Sequence, residues 1–283
     1  MGLFDRRRRA NAEAEARANV ATFVALRNAE QVRTAEPRIR SAVDRAAAAL
    51  GGGHMLTLRL RELLGQALAD QGRGEDALRE YRTVADTAGR DGEQLVERLA
   101  AHSNLAGQLC MEQRYEEAER EARRLLAEVE RLPVDMRVYP RLSALNSVGR
   151  ALVGLERPAE AEQLLRAALA ESASATLPVG SFQRILDVNL ASALSAQERH
   201  DEALARLDAA AAIVDPSGAR AGASAIGMGR ATALLGLGRH AEAAEAARAG
   251  LDAALVAFDE PHPRVRRLRA LLAEAEAAVT ATR

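Results

Sequence analysis

Imidazole, thiol and amine groups set which reactions a chain can run, and here they are few and scattered. The 283 residues include five histidines, one cysteine and no lysine, every basic side chain being arginine. His200 and His240 fall in turns, His54 and His262 in loops, and His102 inside a helical stretch. No His-Glu-x-x-His occurs, and no Cys/His spacing suits a metal. Without lysine there is neither a Walker-type phosphate loop nor a Schiff base. No Gly-x-Ser-x-Gly elbow presents a nucleophile. Gly227-x-Gly229 and Gly236-x-Gly238 lack the strand and the third glycine of a dinucleotide loop. The chain is therefore expected not to be an enzyme, and to use no cofactor and no metal. What remains is recognition chemistry. Asn104, Asn146 and Asn189 each offer a donor and an acceptor suited to a peptide backbone. Arg150 offers a guanidinium that pairs with a carboxylate bidentately.

The elements that position these groups are written in a repeat. An alanine recurs at Ala77, Ala118, Ala161, Ala203 and Ala243, at spacings of 41, 43, 42 and 40 residues. Arginine stands four residues before each (Arg73, Arg114, Arg157, Arg199, Arg239), and an acid immediately before (Asp76, Glu117, Glu160, Glu202, Glu242). Leucine stands nine before (Leu68, Leu109, Leu152, Leu194, Leu234), and a small residue twelve before (Gly65, Ala106, Gly149, Ala191, Ala231). Periods of roughly 20–50 residues signal a stacked array. Each unit reads as two helices and a turn. Apolar Leu60, Leu63, Leu64 and Leu68 keep helical spacing, Gly72-Arg73-Gly74 breaks it, and Ala77, Leu78, Tyr81 and Val84 resume it. Gly89 to Gly92, Pro133 with Pro140, Leu177-Pro178 and Pro216-Ser217-Gly218 are expected to stop helices between units. Gly65 and Ala77, like Gly149 and Ala161, are expected to face each other where paired helices cross.

Composition agrees with an all-α chain. Aromatics are only 2% of residues, whereas Ala, Leu, Arg and Glu, all good helix formers, dominate. A net charge of −1 gives no global field toward nucleic acid. No apolar run approaches a membrane span, and a single Cys110 fits a reducing, cytoplasmic location.

The arrangement Leu64-Gly65, Leu68, Gly72-Arg73, Asp76-Ala77 and Tyr81 closely resembles the tetratricopeptide repeat. The longer period resembles the variant found in kinesin light chain and many bacterial proteins. His54-Met55-Leu56 and His262-Pro263-Arg264 match in part the His-Pro that precedes the first helix in that variant, Met55 departing from it. The resemblance implies a right-handed α-solenoid of stacked antiparallel helix pairs, a TPR-like superhelix, with the first helix of each pair on the concave face. In the family that face grips an extended peptide or a partner helix, often through asparagines. Asn104 and Asn189 lie fourteen residues before their anchors and Asn146 fifteen, so all three point to about the same side. Arg59, Glu62, Gln66 and Arg150 are expected on that surface with them. Glu62 and Gln66 stand where the family's chaperone-tail clamp has lysine and asparagine, and Ser143 and Ser147 replace its further basic pair, so a chaperone tail is not expected.

The resulting expectation is a protein- or peptide-binding module acting as a cytoplasmic interaction scaffold. A peptide-responsive regulator of a separate output protein, and an oligomerisation scaffold, are the alternatives. Residues 1–10 read as a flexible basic tail, in which Arg6 to Arg9 could touch an acidic surface weakly. Residues 11–53 read as a degenerate helix pair without an anchor alanine, and 54–260 as five repeats. Residues 261–283 read as a capping helix, because the next anchor falls due at 285, beyond Arg283.

Overall fold

The computed structural model describes residues 3–90, 92–174, 180–213 and 219–281. Its described residues are helical throughout, with turns between: an all-α solenoid of stacked helix pairs. The first pair is α1 (Leu3–Asn28) and α2 (Glu36–Leu50), with a 3-10 turn at Val32–Ala35 leading into α2. Five pairs follow: α3 (Met55–Asp70) with α4 (Gly74–Thr87), α5 (Gly92–Met111) with α6 (Tyr115–Val129), α7 (Val134–Gly154) with α8 (Pro158–Ser174), α9 (Gly180–Ser195) with α10 (His200–Ala212), and α11 (Ala219–Gly236) with α12 (His240–Ala257). α13 (Pro263–Ala281) packs on α12 and α11 through buried Val265, Leu268, Leu271 and Ala275.

The first helices of successive units touch one another, α3 on α5, α5 on α7, α7 on α9, α9 on α11 and α11 on α13. The second helices make no comparable mutual contact among the described residues. Crowding on one layer and splaying on the other bends the stack, leaving the first helices on the inside of the curve.

The repeat signature has a physical reading at each position. All five anchor alanines are fully buried, as are Ala106, Ala191 and Ala231, where any larger side chain would overpack. The atoms nearest a Cβ at Gly65 belong to Tyr81, one turn beyond the anchor Ala77. A Cβ at Gly65 would lie 2.5 Å from the buried Tyr81 ring, and one at Gly149 would lie 2.8 Å from Leu165. The large residue one helical turn beyond the anchor fills the space that each glycine leaves.

In the middle three units the recurrent arginine is an inter-unit clip, whereas Arg239 pairs, among the described residues, only with Glu242 of its own helix. Arg114 pairs with Glu117 of its own helix and Glu75 of the previous unit, Arg157 with Glu160 and Glu119, and Arg199 with Glu202 and Glu162. The acids also sit in the first turn of their helices, where the backbone dipole favours negative charge.

Three expectations are revised. Arg6 to Arg9 lie within α1, exposed, with Arg9 reaching Glu13 at 3.4 Å; the helix simply continues through them. Pro140 does not stop a helix but lies inside α7. The ladder bond it forfeits belongs to the carbonyl of Met136, in the first turn of the helix, on a residue that is 45% exposed and so open to solvent.

The third concerns the first pair, which does carry an anchor. Ala35, 2% exposed, precedes Ala77 by one period of 42 residues, and Leu26 stands nine before it. The αL turn residue five before the anchor is Glu30 (φ 56°), equivalent to Gln113, Glu156 and Glu198 at φ 58–61°. Gln31, Thr34 and Phe23 replace the arginine, the acid and the small residue, which hides the unit in the sequence. Leu177-Pro178 and Pro216-Ser217-Gly218 lie outside the described residues.

Candidate functional site

The inner layer carries the polar residues singled out above, one set per first helix. α3 brings Arg59, Glu62 and Gln66; α5 brings Asn104; α7 brings Asn146 and Arg150; α9 brings Asn189. They lie off the apolar stripe of each helix, such as Leu60, Leu63, Leu64 and Leu68 on α3, that is buried in the stack. Glu62 is 8% exposed and the other six are half-buried.

They are joined into cross-helix pairs. Arg59 Nη1 donates to Glu62 (2.6 Å) and to Glu97 of α5 (3.2 Å), while Asn104 Nδ2 donates to the other Glu62 oxygen (3.2 Å). Asn189 Nδ2 donates to Asn146 Oδ1 (2.5 Å), and Ser103 and Ser143 share a hydroxyl bond between α5 and α7. Gln66 Nε2 donates to Asp70 (2.8 Å). Each asparagine thus spends one group on a neighbour. Asn104 Oδ1, Asn146 Nδ2 and Asn189 Oδ1 have no protein partner among the described residues, leaving acceptor, donor and acceptor on three consecutive first helices.

Charge on this face is unevenly balanced. Burial pushes the Glu97 carboxyl up to about 7, helped by the adjacent Glu62, with Arg59 opposing. Burial likewise raises Asp70 to about 7, against its bond from Gln66 and the charges of Arg33 and Arg264. Arg150 donates only to the sulfur of Met111 (3.3 Å), with no carboxylate at ion-pair distance among the described residues. Arg264 of α13 donates Nη1 to Ala221 O (2.9 Å) and Ser224 Oγ (3.2 Å) and lies over the Phe258 ring, and its Nε has no partner. Burial, then Arg150, brings its pKa down to about 10.

The two histidines of the partial His-Pro motif are helix caps. His54 Nδ1 accepts the Leu56 amide (3.3 Å) and His262 Nδ1 the Arg264 amide (3.1 Å). Burial and the neighbouring Arg264 and Arg266 lower the His262 pKa to about 3, so the ring stays neutral and keeps its acceptor. Of the more apolar inner residues, Met228 and Leu235 pack against Ala231, Ala247 and Leu271. Among the described residues no group of three or more His, Cys, Asp or Glu side chains is placed to hold a metal, and no helix is long and apolar enough to cross a membrane.

No family profile and no curated sequence matches the chain. Solved structures do. The nearly identical TPR-like repeats of a kinesin light chain from Podosopora anserina align at a TM-score of 0.54 with 22% identity, over 70% of this chain and 94% of that one. A tetratricopeptide repeat protein from Parabacteroides merdae aligns at 0.56 with 16% identity, over 95% and 91%. The apo form of RapI aligns at 0.55 with 11% identity, over 92% and 99%. The chain therefore has the tetratricopeptide-repeat fold, in the long-period form that its sequence resembles.

Proposed function

We propose that the chain is a non-enzymatic interaction scaffold that binds an extended peptide, or an extended segment of a partner protein, along its first helices. The observation that carries this reading is the row Asn104, Asn146 and Asn189: three half-buried amides on consecutive first helices, within one residue of the same repeat position, each with an unspent donor or acceptor among the described residues. An extended backbone alternates donors and acceptors, so such a row binds it with little regard to sequence. Arg59, Glu62, Gln66 and Arg150 border the row, the two arginines and the glutamate supplying charge selectivity and the glutamine a further amide. Ordering an extended chain costs entropy, so the binding is reversible, of roughly micromolar strength. A reducing, cytoplasmic setting accompanies this reading, since the sole thiol, Cys110, is buried and free.

The test is affinity purification from the source cell with the wild type and with Asn104→Ala/Asn146→Ala/Asn189→Ala. Loss of the wild-type partners by the triple variant, at unchanged helicity, supports the assignment. Retention of every partner overturns it, as does a stable homo-oligomer by light scattering that buries these residues.

A further inference from the structure

The two ends of the array touch. Glu30, in the turn after α1, reaches 190 residues along the chain to the first turn of α11. There its carboxylate accepts the Arg220 amide at 3.1 Å and the Ala221 amide at 2.7 Å, two donors that a helix N-terminus otherwise leaves orphaned. Arg33 donates Nε to Asp259 (2.9 Å) and Nη1 to the Ala257 carbonyl (2.8 Å). The Asp259 amide donates to the Asp70 carbonyl (2.9 Å), and the Pro261–His262 backbone lies against Gly72. Turns on one edge of the first two units thus meet loops on the opposite edge of the last two.

We propose that this contact is a clasp, which holds the resting array closed in a single superhelical turn and parts to admit a partner to the inner face. Two observations carry it beyond a packing contact. The first is Gly72. The same turn position in other units holds Gln113, Glu156 and Glu198 at φ 58–61°, so its left-handed backbone (φ 77°) does not itself demand glycine. What demands it is the returning loop: a Cβ there would stand 2.6 Å from the Pro261 carbonyl carbon. Gly238 occupies the equivalent turn at φ 69° with nothing within 4 Å of its notional Cβ. The second is the make-up of the contact. Among the described residues, hydrogen bonds and one half-exposed ion pair close it, and no buried apolar cluster spans the two ends. Interfaces of that kind separate without unfolding what they join.

This gate regulates the face assigned above and rests on that reading for its purpose. The clasp itself is tested without a partner, so either can fail alone. The full chain carries Asn146→Cys as a reporter on the inner face, with Cys110 kept and the two thiols resolved by peptide mapping. The probe is a maleimide bearing a bulky polyethylene glycol. Gly72→Gln, which installs the side chain already tolerated at position 113, wedges the clasp; Glu30→Gln/Arg33→Gln unpairs it; Gly238→Gln is the control. The wedge and the unpaired variant are expected to label the reporter about tenfold faster than the parent. Both should also show a larger radius of gyration by small-angle scattering at unchanged helicity, with Gly238→Gln tracking the parent. Labelling of both clasp variants at the parental rate, or equal acceleration by Gly238→Gln, overturns the proposal. If Gly72→Gln does not fold, the unpaired variant decides alone.

Discussion

Replacing Asp70 by asparagine should stabilise the protein, and only on the alkaline side. The side chain lies near the end of α3, bonded by Gln66 and close to Arg33 and Arg264, but with no ion-pair partner among the described residues. Burial wins over those charges and raises its carboxyl from 3.8 to about 7. Between these values the native chain holds a proton that the unfolded chain has released, so stability falls as pH rises through the interval and levels off above it. A displacement of that size has a ceiling of about 4 kcal/mol; allowing for the water that reaches a half-buried group, about 2 kcal/mol is expected. Asparagine keeps the acceptor for Gln66 and cannot ionise. Asp70→Asn should therefore match the wild type near pH 4 and exceed it by about 2 kcal/mol near pH 8, read by guanidinium unfolding with circular dichroism. Because Glu97 titrates in the same window, the difference between the two proteins is informative and either slope alone is not. A variant less stable near pH 8 would mean that Arg33 and Arg264 hold the ionised carboxylate as a partner, and the reasoning from burial would be wrong.

Two further substitutions probe the array. Gly65→Ala drives a methyl into the fully packed Tyr81 ring and should cost about 1–3 kcal/mol in thermal or denaturant unfolding; an unchanged midpoint would show that the crossing has slack. Pro140→Ala returns an amide to the second turn of α7 and should stabilise by roughly 1–3 kcal/mol, whereas a lowered midpoint would mean that the proline ring packs usefully where it lies.

Much of the fold was legible because one unit is spelled five times, and chance does not repeat Arg, acid and Ala at fixed offsets. Legibility failed where the spelling changed but the shape did not. Gln31, Thr34 and Phe23 conceal the first unit, although Leu26 and Ala35 kept their places. The role of the arginine was also hidden, since its second carboxylate comes from a neighbouring unit. Helix periodicity placed the asparagines on one side, but not Asn189 against Asn146, because inter-helix register depends on packing. Contact between the ends depends on the small rotation between units, accumulated along the stack. The glycine at 72 did not signal the contact either, because the equivalent turn at Gly238 also carries glycine and meets nothing there.

Linear stacks ordinarily melt inward from their outermost units, each of which lacks a neighbour on one side. Here the Glu30 carboxylate and the Arg33 guanidinium give the outer units a neighbour after all: α1 and α13 can still fray from their outer ends, but loosening that passes the turn at Glu30 or the loop at Asp259 has to break a long-range bond. While the ends stay joined, the chain is therefore expected to melt more cooperatively than an open stack of the same units, less like a row of dominoes than like a hoop.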